Sequence, residues 1–67
     1  MKRWNVAGRR EAENEKIDAF LAEVIEVSKK HGFSIGHEDN HGSFLAHKFS
    51  QDNADWLMQA SDDSGTA

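Results

Sequence analysis

FSIGHEDNHGSFLAHKF, residues 33–49, decides how this 67-residue chain is read. Its ends alternate as strands do and its middle has the composition of a turn, so it predicts a β-hairpin with a helix on either side. Asp39-Asn40-His41-Gly42 suits a type I turn: Asp favours the first position, and Gly42 can take the left-handed conformation that closes a three-residue loop with a bulge. Asp39 then opposes Ser43, and the register sets Phe33 opposite Phe49, Ile35 opposite His47 and His37 opposite Leu45. One face carries Phe33, Ile35, His37, Leu45, His47 and Phe49; the other carries Ser34, Gly36, Glu38, Phe44, Ala46 and Lys48. A two-residue loop at Asn40-His41 would shift the pairing by one and bring Phe44 and Ala46 to the face of Ile35. The bulged loop is the preferred reading. Either way the second strand has apolar residues on both faces, so one surface needs a cover other than a single helix.

Outward from the hairpin, Glu11 to His31 reads as the main helix, starting between Gly8 and Asn14. Ile17, Phe20, Leu21, Val24, Ile25 and Ser28 follow the three-and-four spacing that stacks side chains along one face. Acids lead at Glu11, Glu13 and Glu15, and Lys29, Lys30 and His31 close it, which matches the helix dipole at both ends. Gly32 is the expected left-handed stop. Ser50 to Ala60 reads as a second, shorter helix, capped by Ser50 or Asp52, with Trp56, Leu57 and Ala60 lining one face and Trp56 as its buried anchor on the hairpin. The fold class is α+β: a small αββα unit over residues 11–60, with a basic N-terminal arm at 1–10 and a disordered acidic tail at 61–67.

A chain this short buries only about 60% of the surface its unfolded form exposes, and an isolated two-stranded hairpin is barely stable in water. With no cysteine, neither a disulfide nor a thiolate metal site can staple it. These needs favour a homo-oligomer, most simply a dimer. No apolar run approaches the roughly 18 residues of a membrane span, and the first residues lack the apolar core of a signal peptide, so a cytoplasmic protein is expected. The net charge of −4 conceals an asymmetry. Lys2, Arg3, Arg9 and Arg10 make the first ten residues +4; the other four of the eight basic residues, against all twelve acids, leave the body at −8. An acidic body argues against a general nucleic-acid binder.

His37, Glu38, Asp39 and His41 offer imidazole and carboxylate groups of the types that bind zinc, manganese or iron. On a strand, however, His37 and Glu38 point to opposite faces. His37 with His47 is the better pair in the preferred register, with Asp39 as a third ligand; that set defines a metal-dependent enzyme as one reading. The bland alternative has the histidines bonding within the hairpin and Asp39 tying its own turn. No glycine-rich phosphate loop, nucleophile elbow or metalloprotease helix is present, so the expectation is a non-enzymatic protein without a cofactor. A second reading is an oligomer that sequesters a nucleotide between subunits. Trp4 would stack the base, Arg9 and Arg10 (or Arg3 and Lys48) would meet phosphate, and His37 and His47 would converge on it.

The segment from Ile17 to Leu57 resembles small uncharacterised proteins of tailed phages and prophages. The resemblance rests on the K-x-x-G stop at Lys29 to Gly32, on Ser34-Ile35-Gly36-His37-Glu38-Asp39 with Gly42 and Phe44 following, and on the acidic last helix with Trp56. The arm lies outside it. Such an origin implies an accessory protein that binds and blocks a bacterial host factor, including a component of antiviral defence. On this leading reading Glu23, Glu26, Glu38, Asp52 and Asp55 form an acidic face that competes for a basic site on the target, and Phe44 supplies an apolar contact.

Overall fold

The computed structural model describes residues 1–37 and 42–66, and the order of elements is ββαββα. Strands β1 (Lys2–Asn5) and β2 (Arg10–Glu13) pair antiparallel, α1 (Glu15–His31) follows, β3 (Phe33–His37) and β4 (Phe44–Lys48) pair antiparallel, and α2 (Gln51–Met58) comes last. The fold is therefore a small α+β fold with two hairpins. No helix among the described residues is long and apolar enough to cross a membrane.

The two helices end where the chemistry of their ends requires. Asn14 caps α1 by accepting from the amides of Lys16 and Ile17, and Gly32 stops it at φ 78° with its amide bonded to the Ser28 carbonyl. Glu11 and Glu13, expected in the helix, belong to β2 instead. Ser50 caps α2 through Asn53, and its own amide donates to the buried Ser34 hydroxyl at 3.0 Å, pinning the start of α2 to β3.

Two expectations about packing are corrected. The register pairs Phe33 with Lys48, Ile35 with Ala46 and His37 with Phe44, one residue away from the bulged-loop reading. Phe33, Ile35, His37, Phe44, Ala46 and Lys48 therefore share a face, and Ser34, Gly36, Leu45 and His47 share the other. Asp39 opposite Ser43, and the turn itself, fall on residues 38–41, outside the described residues; Gly42 is left-handed at φ 67°. The second correction concerns Trp56, which is 54% exposed, whereas Ala54 is 3% exposed. The two lie about 200° apart around a helix, so a helix that seats Ala54 against its neighbours turns Trp56 outward. The inward face is Ala54, Leu57 and Met58, and among the described residues Leu21 is the one large apolar side chain that is buried.

The arm and tail are not loose ends. Arg3 and Asn5 face inward from β1 and are buried. Arg3 donates through Nη1 to the carbonyls of Met58 and Ala60 at 3.0 and 2.8 Å, and through Nη2 to Asp18 at 2.5 Å. Helix α2 has no basic residue in its own last turn. Arg3 supplies that charge from far away in the sequence, satisfying the carbonyl that α2 leaves open at Met58 and that of Ala60 just beyond the cap. Asp62 is buried too: its backbone joins β1 through Trp4 and Val6, and its carboxylate accepts from Asn14 at 3.0 Å and from Ser64. The separate basic arm and disordered tail are thus replaced by two segments that close on each other, because their inward groups are polar and complementary.

These ties predict acid sensitivity. The bonds from Ser64 hold the Asp62 carboxyl below the usual carboxylate range, with Asn14 adding to them, and the Met1 ammonium followed by Arg3 does the same for Asp18. Both groups are depressed in the folded chain, so the unfolded chain binds more protons. The stability they contribute is present above about pH 4 and is lost as pH falls through their folded values. The urea midpoint should decline below about pH 4, and less steeply in Asp62→Asn. A midpoint level from pH 5 to 2.5 would remove these contacts from the account.

Candidate functional site

The β3–β4 hairpin divides the exposed chemistry between two sides. Helix α2 lies on the Ser34 and Gly36 face, where a side chain at Gly36 would run into the His47 ring at 2.8 Å. A hollow on that side is lined by Gly36, His37, Leu45, His47, Asn53 and Trp56. Trp56 and Leu45 are exposed around it, and His47 Nδ1 lies 2.9 Å from the Lys48 carbonyl oxygen. Asp52 and Asp55 stand exposed on α2 one turn and one residue before Trp56, with Asp55 accepting from Gln51 at 3.0 Å. The exposed surface of α2 thus carries an indole and two carboxylates close together in sequence.

On the opposite side a groove of about 470 Å³ runs between α1 and the other hairpin face. Phe20, Val24 and Val27 form one wall and Phe33, Ile35 and Ala46 the other, with Glu23 and His31 at the rim. Phe44 is exposed on that same hairpin face, against the edge of the His37 ring at 6.4 Å between centroids.

The structure distributes the expected site residues rather than gathering them. Glu23 and Glu26 are exposed on α1, where Glu26 pairs loosely with Lys29 at 3.9 Å, while Asp52 and Asp55 are on α2. Glu38 lies outside the described residues, as do Asp39 and His41. His37 and His47 occupy opposite faces of the hairpin by register, which corrects the expected same-face pair, although both border the hollow beside Trp56; the one-residue change of register is the cause. Among the described residues no three His, Cys, Asp or Glu side chains are grouped to hold a metal. Trp4 and Arg10 belong to the first hairpin, whose strands touch neither β3 nor β4, so one chain does not bring them to the histidines; Arg9 sits in the turn between β1 and β2. The exposure of Trp56 was the feature missed from sequence, and its signal was the small Ala54 on the opposite side of the same helix.

No family model, no curated protein and no solved structure matches the chain.

Proposed function

We propose that the chain is a non-enzymatic binding protein that docks on a bacterial host protein and blocks it, acting in the cytoplasm of an infected cell as a counter-defence inhibitor. The phage-like hairpin motif supports the setting. The observation that carries the binding mode is Trp56, half exposed beside Leu45, with Asp52 and Asp55 on the same helix. Binding energy concentrates in aromatic anchors that enter a recess, and flanking charges chiefly set the encounter rate. The partner chemistry that fits is an apolar recess rimmed by Lys or Arg, of the kind that otherwise receives an anionic ligand such as nucleic acid.

The test is capture from bacterial extract by the unaltered chain and by Trp56→Ala in parallel, then binding measured with the purified target. Trp56→Ala should weaken the complex about thirty-fold, the effect of roughly 2 kcal/mol at a central anchor. Its melting temperature should stay within about 3 °C, because the indole is not part of the core. Reversing Asp52 and Asp55 to lysine should slow association and abolish its salt dependence. A tight complex indifferent to all three changes would sink this binding mode.

A further inference from the structure

The groove on the α1 side is too apolar to be left to water. The protein exposes 5131 Å², whereas a folded monomer of 7.5 kDa exposes about 4,200 Å². The excess, about 900 Å², is close to the roughly 800 Å² that each partner contributes to a standard interface. The shape agrees: the radius of gyration is 12.9 Å, against about 11 Å for a compact chain of this length, and the body is flattened to 34 × 28 × 16 Å. Part of that excess lies in this groove, where Phe20 is 63% and Val27 57% exposed although both belong to a well-formed helix.

The groove also carries a clue to its occupant. Phe20, Val24 and Val27 form a ridge at the three-and-four spacing by which helices interlock. Glu23 and His31 flank that ridge, each four residues, one turn or about 6 Å, from Val27. If a second α1 is laid antiparallel with Val27 meeting Val27, Glu23 of each copy falls opposite His31 of the other. A carboxylate then meets an imidazole at both rims, and apolar groups meet between them. A surface that complements itself on reversal is what a twofold contact requires.

We propose that this groove is the interface of a homodimer, with the α1 helices antiparallel about an axis through Val27 and the Phe33, Ile35 and Ala46 faces of the two hairpins closing over them. The Trp56 surface lies on the other side of each hairpin and stays open, so the dimer presents two docking knobs. Against a target with two sites, that doubles as an avidity device.

The chain has no cysteine, so a single introduced one reports only its own neighbourhood. Val27→Cys, placed on the axis, should form a covalent dimer under mild oxidation at least ten-fold faster than Lys16→Cys, an exposed position in the first turn of the same helix. Light scattering should give twice the chain mass for the unaltered protein and the single-chain mass for Val27→Glu. Val27 is exposed in the protomer, so the substitution spares the protomer's own core; should that variant nonetheless fail to fold, the cross-linking comparison decides. A single-chain mass for the unaltered protein at about 100 μM overturns the proposal and leaves the groove to a different protein. Equal cross-linking at the two positions, or a dimer that survives Val27→Glu, overturns the placement of the axis.

Discussion

Arg3→Ala is expected to lower the melting temperature by more than about 10 °C. The guanidinium is buried and divides its donors among Asp18 and the carbonyls of Met58 and Ala60. Its removal strands the last carbonyl of α2 and that of Ala60 just beyond it, and unties β1 from both helices at once. Losing charge-assisted bonds of this kind costs about 3 kcal/mol in total, from 1.5 to 3 for each bond less what water restores. In a domain this small each kcal/mol shifts the midpoint by roughly 4–8 °C. Arg3→Lys should recover little, because a single ammonium cannot span three acceptors in a fixed fork. The check is thermal unfolding followed by circular dichroism. A shift below about 3 °C would mean that the first hairpin is decoration on a fold held elsewhere.

Leu21→Ala is the second large effect. Leu21 is the sole large apolar side chain buried among the described residues, at 8% exposed, so its loss hollows the centre instead of trimming a margin. Leucine-to-alanine changes in cores cost 2–5 kcal/mol, and a value near 3 would remove a major share of the roughly 3–10 kcal/mol available to a chain of this length. The urea midpoint should fall steeply with its slope unchanged, whereas Leu21→Met should cost less than about 1.5 kcal/mol. An unaltered midpoint in Leu21→Ala would place the core somewhere other than the junction of α1 with α2 and β3.

Elements with local signals were legible before the structure. Helix α1 has its apolar spacing and a left-handed glycine after the last turn, α2 has Ser50, and the hairpin has two alternating runs around turn residues. The features that escaped depend on contacts distant in sequence. Strand β1 has Arg3 and Asn5 on its inward face, so no apolar alternation marks it; its partners are Asp18, Met58, Ala60 and Asp62. The hairpin register turned on one residue of loop length, a choice between turn geometries that local propensity separates weakly but that reassigns every side chain to the other face. The same slip placed His37 and His47 on opposite faces and brought Phe44 to the face of Ile35. Trp56 misled because size suggests burial, whereas the close approach of α2 needs the small Ala54. Asp52 and Asp55 fall within the helix that the sequence indicated at Ser50 to Ala60, whereas their neighbour Trp56 is exposed and not the buried anchor its size suggests.

The long-range closure by Arg3 also governs when the chain can fold. Its acceptors lie 55 and 57 residues downstream, and Asn5 bonds to Thr66, 61 residues away. Arg3 is synthesised well before its acceptors, so the first hairpin has nothing to close against until Met58 and Ala60 have been made. Contacts of such separation are formed late and slowly, since the loop must be shut before any of them rewards it. The first hairpin therefore waits on α2 and the residues that follow it, whereas α1 and the second hairpin rest on contacts close in sequence.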